Sequence, residues 1–288
     1  MFEGVYTAMV TPFAGEGLDE ARLREQVAFQ MDRGVDGLVP VGTTGESPTL
    51  SHAEHNRVVA VVIDATDGRV PVIAGTGSNS TKEALAMTRH AAEAGATASL
   101  QVVPYYNKPT QEGLYRHFMS IADQVDLPLV LYNIPGRSAA GLTTQTVLRL
   151  AAHPNIVAIK EATGSMDFAS QVAAHCDLDI LSGDDSLTLP IMSVGGRGVI
   201  SVASNIVPDQ LVKMCHLAIE GRFAEARAIH LKLFPLFRAM FVETNPIPLK
   251  AAMRLLGTDT GEMRLPLCDV AEEHLPGIEK ALRDQGLL

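Results

Sequence analysis

The chain contains few of the residues that mark secreted, zinc-binding or membrane proteins. It has three cysteines and no tryptophan among 288 residues, and Cys176, Cys215 and Cys268 show no CxxC spacing. This pattern predicts free thiols in a reducing compartment, and neither a disulfide framework nor a zinc site. No apolar run reaches the roughly 18 residues that a membrane helix needs. The first residues lack the regions of a signal peptide, so we expect a cytoplasmic protein without a membrane anchor.

Basic residues are scarce relative to acidic ones. The 23 lysines and arginines are outnumbered by 33 aspartates and glutamates, for a formal net charge of -10 at pH 7. This balance disfavours nucleic acid and anionic membranes as partners, so an acidic substrate needs a local positive site. Hydrophobic residues make up 47% of the chain, which is enough for one large core of the size of an α/β barrel.

Short runs rich in Val and Ile alternate with longer segments of helical period, with no linker between them. Such runs, apolar until their polar last residues, are typical of parallel strands buried on both faces. Eight β/α units favour a (β/α)₈ TIM barrel, whose active site lies at the carboxyl ends of the strands. A doubly wound sheet is the rival, but no GxGxxG follows the first run. The eight runs begin at Val5, Asp36, Val70, Ala98, Leu127, Ile156, Leu178 and Gly198.

The segments between the runs carry helix signals. Ser51 is the expected N-cap of the second helix, and Glu54 completes a capping box. Gly34 and Gly95 are expected to follow the ends of two other helices. Beyond the eighth run the pattern is helical. We therefore predict a barrel domain over residues 1–220 and a C-terminal helical extension, packed beside it, over residues 221–288.

Lys160 lies within the apolar run IVAIKEATG. A lysine there needs a reason, because burying an ammonium is costly. Burial favours the neutral amine, the form that attacks a ketone to give a Schiff base. The alternative is a strand-end lysine that reaches water or pairs with Glu161. The run alone leaves both interpretations open.

Other strand ends supply groups that an imine-forming lysine needs. Tyr132, in LYNIPGRS, is able to exchange protons, and Arg137 offers a forked cation for a carboxylate. The loop GTTGES, residues 42–47, exposes backbone N–H groups suited to an anion, and Thr43 and Thr44 add hydroxyls. Each feature also has a simpler interpretation when it is considered alone: Tyr132 as a core tyrosine, Arg137 as a surface arginine, and the GTTGES loop as a plain turn.

Two further clusters have simpler interpretations. Asp184 and Asp185 suggest a metal, but no ligand cluster accompanies them, so helix N-capping is favoured. His52 and His55 lie three apart on a predicted helix without an HExxH motif, which favours a solvated helix face over a zinc site.

Together the motifs resemble those of the dihydrodipicolinate synthase/N-acetylneuraminate lyase family along the whole chain. The resemblance rests, in chain order, on GTTGE, YYNKPTQEG, YNIPGR, IKEATG and SGDD. The YYNKPTQEG loop and the arginine of YNIPGR resemble the synthase branch. The resemblance implies a lyase that condenses pyruvate with L-aspartate 4-semialdehyde, the first step of the diaminopimelate route to lysine. It also implies that no metal or organic cofactor is needed, since the lysine imine is the electron sink.

The resemblance implies a role for each catalytic candidate. Lys160 forms the Schiff base with pyruvate. Tyr132, Thr44 and Tyr106 form a proton relay, and Tyr106 enters from a neighbouring subunit of a homotetramer built from tight dimers.

The resemblance also implies how the substrates are held. Thr43 and Thr44 bind the pyruvate carboxylate, and Arg137 binds the carboxylate of the semialdehyde. Gly183 and Ile200 contribute backbone positions near the reactive lysine.

A feedback site for free L-lysine at a subunit interface is implied as well, which reverses the simpler interpretation of the histidine pair. Pro48 departs from the Ala that lysine-sensitive members often carry, and so alters the backbone beside this site. The matching residues are Ser47, His52, His55, Asn79, Glu83 and Tyr105.

The residues alone leave three alternative functions open. The nearest is another pyruvate lyase of the same family that acts on a sugar acid and does not use Arg137 in the same way. A phosphate-binding barrel isomerase is suggested by GGRGVISVASN from Gly195, although no companion phosphate loop follows the seventh run. The last is a non-catalytic relative that only binds a metabolite.

Overall fold

Eight parallel strands form the centre of the computed structural model, which describes residues 2–288. These strands are β1 (Gly4–Ala8), β4 (Gly37–Val39), β5 (Ile73–Gly75), β6 (Ala98–Val102), β7 (Leu129–Asn133), β8 (Ile156–Glu161), β9 (Asp179–Ser182) and β10 (Gly198–Ser201). Their order is β4-β1-β10-β9-β8-β7-β6-β5. A parallel bridge between Leu38 and Val72 brings the two outer strands together. The predicted TIM barrel is confirmed, and each of the eight predicted runs contains a strand.

A small hairpin near the N-terminus was not predicted. Strand β2 (Phe13–Ala14) pairs antiparallel with β3 (Gly17–Leu18). Each strand has only two residues, too few to show an alternating pattern. The hairpin matters because Phe13 is fully buried and packs beside the loop that follows β4.

Twelve helices surround and extend the barrel within the described residues. The Ser51–Glu54 capping box is present, and Gly95 caps its helix with a left-handed φ of 94°, as predicted. The helices are α1 (Glu20–Asp32), α2 (His52–Thr66), α3 (Thr81–Ala94), α4 (Gln111–Gln124), α5 (Pro135–Ser138), α6 (Thr144–Ala151), α7 (Met166–His175), α8 (Thr188–Ser193), α9 (Pro208–Ile219), α10 (Phe223–Ala239), α11 (Ile247–Leu255) and α12 (Leu275–Asp284).

The helices after β10 share a core with the barrel. Val199 of β10 belongs to the same buried cluster as Leu233 of α10, Leu249 of α11 and Leu282 of α12. The extension therefore packs against the barrel, as expected, while the boundary at residue 220 stays a prediction. In the described part of the chain, no helix has both the length and the apolarity to span a bilayer.

Strand register brings the key side chains together. On β8, Ala158 packs inside the barrel and Ile159 packs toward the surrounding helices. Because strand side chains alternate, Lys160 points inward like Ala158. The pairing of β7 with β8 places Tyr132 directly beside Lys160. Both residues lie at the carboxyl ends of their strands, where barrels carry their active sites.

Candidate active site

Lys160 is buried at the carboxyl end of the barrel with its amine close to an aromatic ring. The residue is 6% exposed, and its Nζ lies 4.3 Å from the ring centre of Tyr132. Among the described residues, no hydrogen bond or ion pair holds this amine. Nucleophilic attack on a carbonyl requires a neutral amine with a free lone pair. Because no acceptor holds this amine in place, its neutral form is free to attack.

Gly183 leaves room for the stem of this lysine. A Cβ at this position would lie 3.0 Å from Cε of Lys160, 3.0 Å from the carbonyl oxygen of Glu161 and 2.8 Å from Cβ of Ala162. Any side chain would therefore displace the lysine or the backbone of β8. Gly183 also donates its N–H to the Glu161 carbonyl at 2.6 Å, which joins the SGDD loop to the end of β8.

The GTTGES loop stands next to Tyr132 and is tied to the C-terminal extension. Thr43 lines the cavity described below. Thr44 is 3% exposed, and its Oγ1 accepts a hydrogen bond of 3.0 Å from Nδ2 of Asn245. One threonine hydroxyl is thus held by a residue from the far end of the chain, and the role of both threonines in binding pyruvate stays a prediction.

Arg137 lies on the short helix α5, directly after β7. Its side chain is exposed and lines the same cavity. Nη2 donates to the backbone oxygen of Asn245 at 3.1 Å. A guanidinium has five N–H donors, so others remain for a substrate carboxylate.

One cavity of about 450 Å³ joins two groups of predicted residues. Its lining includes Thr43, Tyr132 and Arg137, three of the residues predicted to act in catalysis or substrate binding. The lining also includes five of the six predicted lysine-site residues, namely Ser47, His52, His55, Glu83 and Tyr105. Asn79 lies beside them, since its Nδ2 donates to the backbone oxygen of Tyr105 at 3.2 Å.

The predicted lysine-site residues form several polar contacts within this cavity. Nε2 of His52 lies 3.7 Å from Oε1 of Glu83, and Ser78 donates to Oε2 of Glu83 at 2.7 Å. His55 is 3% exposed and bonds the Gly75 carbonyl through Nε2 at 2.7 Å. Burial lowers the pKa of His55, so its ring is neutral at pH 7. The two histidines therefore differ: one is buried and one faces solvent.

Six of the predicted site residues are not part of the lining of this cavity, namely Thr44, Asn79, Tyr106, Lys160, Gly183 and Ile200. Tyr106 is 88% exposed and has a left-handed φ of 72°. It does not line the cavity of its own chain, so its predicted place in a neighbouring subunit's site stays a prediction. Ile200 is fully buried inside the barrel, in one cluster with Tyr132 and Leu181.

The SGDD aspartates cap backbone N–H groups. Asp184 accepts from the N–H of Ser186 at 3.0 Å. Asp185 accepts from the N–H groups of Val202 at 3.1 Å and Ala203 at 3.0 Å, and burial raises its pKa to about 6. Capping, the favoured interpretation, is what the structure shows. Within residues 2–288, no group of three or more His, Cys, Asp or Glu side chains is placed to hold a metal ion.

Sequence reasoning missed the contribution of the C-terminal extension to the site. Asn245 bonds both Thr44 and Arg137, and Lys250 forms a buried ion pair with Glu46 of the GTTGES loop. A signal was present: Lys250, like Lys160, stands in an otherwise apolar stretch, IPLKAAM. No local pattern tells which partner such a lysine meets.

Comparison with known proteins identifies the family of the chain. The sequence model of the Dihydrodipicolinate synthetase family matches residues 1–285. A curated relative from Methanocaldococcus jannaschii, named 4-hydroxy-tetrahydrodipicolinate synthase, is 52% identical over 100% of both chains.

Two solved structures show the same likeness. The chloride inhibited dihydrodipicolinate synthase from Acinetobacter baumannii, complexed with pyruvate, is 42% identical with a TM-score of 0.97, covering 100% of both chains. The enzyme from Cyanidioschyzon merolae with lysine bound is 44% identical with a TM-score of 0.97, covering 100% of this chain and 99% of that one. With a family match along almost its whole length and a relative sharing half of its residues, the chain belongs to the dihydrodipicolinate synthetase family.

Proposed function

We propose that the chain is a 4-hydroxy-tetrahydrodipicolinate synthase, a lyase that condenses pyruvate with L-aspartate 4-semialdehyde. The observation that carries this proposal is the buried, unpaired amine of Lys160 beside Tyr132. The names of the relatives and the pyruvate complex of one of them support the choice of substrates.

The first half of the reaction activates pyruvate. The neutral amine of Lys160 attacks C2 of pyruvate, and the carbinolamine loses water to give an imine. Tyr132 is the neighbouring group for the proton transfers of these steps. Thr43 and Thr44 hold the carboxylate of pyruvate. No cofactor is required, because the protonated imine accepts the electron pair when C3 loses a proton and the enamine forms.

The second half joins the substrates and releases the lysine. C3 of the enamine attacks the aldehyde carbon of the semialdehyde, whose oxygen takes up a proton and becomes the 4-hydroxyl. The amine of the semialdehyde then attacks C2, the bond from C2 to Lys160 breaks, and the ring closes. One water is released overall. Arg137 holds the semialdehyde carboxylate through a charge-assisted contact.

Regulation and assembly form part of the same proposal. Free L-lysine is the inhibitor, bound by Ser47, His52, His55, Asn79, Glu83 and Tyr105, and the lysine-bound relative supports this choice. Glu83 pairs with the ligand ammonium, and Asn79 and Tyr105 contact its carboxylate. The assembly is a homotetramer of tight dimers in which Tyr106 completes a neighbour's proton relay. The protein acts in the cytoplasm, without nucleic-acid or membrane partners.

The Schiff base is tested by borohydride reduction in the presence of pyruvate, followed by peptide mass spectrometry. We expect an adduct on Lys160 only when pyruvate and borohydride are both present. The second substrate is tested by coupled turnover with L-aspartate 4-semialdehyde, with N-acetylneuraminate and 2-keto-3-deoxygluconate as comparisons. An adduct without condensation activity, together with cleavage of a sugar acid, would replace the synthase by a sugar-acid lyase. Absence of any adduct would reject a Schiff-base enzyme altogether.

A further inference from the structure

Lys250 is a second buried lysine, and its surroundings are the opposite of those of Lys160. It is fully buried on α11. Its Nζ donates to the Thr11 carbonyl at 2.8 Å, to Oε1 of Glu46 at 2.6 Å and to the Glu262 carbonyl at 2.6 Å. The ring of Phe13 lies 4.5 Å from the same atom. All three protons of the ammonium are used, so this lysine is an anchor and offers no nucleophile.

Glu46, the partner of Lys250, is anchored just as completely. It is 1% exposed. Its Oε1 meets Lys250, and its Oε2 accepts the backbone N–H of Arg264 at 3.1 Å. Its backbone has φ 53° and ψ 36°, a left-handed conformation that non-glycine residues adopt only when their surroundings enforce it. Buried ion pairs fix geometry when their remaining hydrogen-bonding capacity is satisfied, as it is here.

Glu46 belongs to the GTTGES loop, so its ion pair with Lys250 is connected to the two threonines proposed to bind pyruvate. Glu46 donates its N–H to the carbonyl of Thr43 at 3.1 Å and follows Thr44 by two residues. Thr11, whose carbonyl binds Lys250, also donates its hydroxyl to the Gly45 carbonyl at 2.7 Å. The loop backbone beside both threonines is thus held at Gly45 and Glu46, and these contacts centre on the ammonium group of Lys250.

We propose that Lys250 is a positioning residue for the pyruvate site, acting through Glu46 on Thr43 and Thr44. This inference rests on the proposed function, because it assumes that these threonines hold the pyruvate carboxylate. Lys250 itself touches no substrate. Its role is to keep the loop in the left-handed turn that presents the threonine hydroxyls and backbone N–H groups to the anion.

The test compares three variants of the full-length protein: Lys250→Met, the double variant Glu46→Gln/Lys250→Met, and Arg264→Met as a matched control. Arg264 lies over the same Phe13 ring at 4.4 Å but pairs its side chain with Glu54, and only its backbone contacts Glu46. KM for pyruvate and kcat are measured for each variant. The concentration of active sites used for kcat is determined by trapping pyruvate with borohydride, so that unfolded protein is not counted. The melting temperature is recorded for each variant.

Because small misplacements of binding groups lower rates by up to about 100-fold, we expect KM for pyruvate to rise roughly 10- to 100-fold in both Lys250 variants. For Arg264→Met we expect a KM for pyruvate within about twofold of the wild-type value. The double variant keeps the test decisive if Lys250→Met alone does not fold, because it buries no unpaired carboxylate.

Two results would overturn the inference. One is an unchanged KM for pyruvate in the folded, titrated double variant with only a lower melting temperature, which makes Lys250 merely structural. The other is an equal rise of KM in Arg264→Met, which makes the effect unspecific. Failure of the wild-type protein to form a pyruvate adduct would instead reject the proposed function, so the two failures are distinguishable.

Discussion

Replacing Asp185 by Asn should stabilise the protein at neutral pH. The carboxyl is 1% exposed and accepts from Val202, Ala203 and the hydroxyl of Ser201, yet burial still raises its pKa from 3.8 to about 6. The folded protein therefore binds the proton more tightly than the unfolded chain does. The free energy of unfolding then falls as the pH rises through this interval, and the loss is complete above about pH 6.

The size of the effect follows from the two pKa values. Their difference corresponds to about 3 kcal/mol of destabilisation at pH 7, where the folded protein holds an ionised, buried carboxylate. An amide at position 185 keeps an oxygen for the two N–H donors and an NH₂ group for Ser201, but it carries no charge to bury. We expect Asp185→Asn to gain up to about 3 kcal/mol at pH 7 and about 1 kcal/mol less at pH 5.

Urea unfolding followed by circular dichroism at pH 5 and pH 7 measures this gain. Asp184→Asn is the control, because Asp184 is only half-buried and its amide retains an acceptor for the Ser186 N–H. We expect this control to change stability by less than about 0.5 kcal/mol at either pH. An Asp185→Asn protein that is less stable than the wild type at pH 7, or whose advantage does not depend on pH, would refute the reasoning.

Three further predictions concern the proposed chemistry. Lys160→Ala should abolish the pyruvate adduct in mass spectrometry while the melting temperature is kept; a collapsed melting temperature would indicate a structural lysine. Arg137→Ala should raise KM for the semialdehyde about 10- to 100-fold in the coupled assay, since charge-assisted hydrogen bonds contribute about 1.5–3 kcal/mol. Pyruvate trapping should be unaffected, and equal loss for both substrates would contradict the assignment. His55→Ala should raise the half-inhibitory lysine concentration about tenfold, as loss of one hydrogen-bonding group predicts; a wild-type rate unchanged at millimolar lysine would reject the regulatory site for this chain.

The barrel was predictable because its signal is local and repeated. Each strand is a short apolar run with polar residues at its carboxyl end, and the capping box at Ser51 and the left-handed Gly95 are set by neighbouring residues. Strand alternation predicts that Lys160 shares a face with Ala158, and the packing of Ala158 shows that this face is the interior of the barrel. These local patterns do not predict the register of β7 with β8, which places Tyr132 beside Lys160.

Contacts across large sequence separations were beyond local patterns. Asn245 meets Thr44, and Lys250 meets Glu46, across about two hundred residues of chain. A lysine in an apolar stretch signals that something must satisfy it, but its sequence neighbours do not show whether that is a carboxylate or a substrate. Lys160 and Lys250 carry the same signal, and only the fold tells the free amine from the saturated one.

The GTTGES loop has a consequence for protein engineering. Thr43 of this loop, which is proposed to bind pyruvate, and Ser47, which belongs to the proposed lysine site, line the same cavity. We therefore predict that substitutions made within this loop to weaken the proposed lysine binding also change the affinity for pyruvate. Helices α2 and α3 offer separate positions, because they carry His52 and Glu83 of the proposed lysine site and none of the residues proposed to bind pyruvate. Under the proposed regulation, weaker inhibition by lysine is better sought by changing those helices than by changing the loop that both proposed sites share.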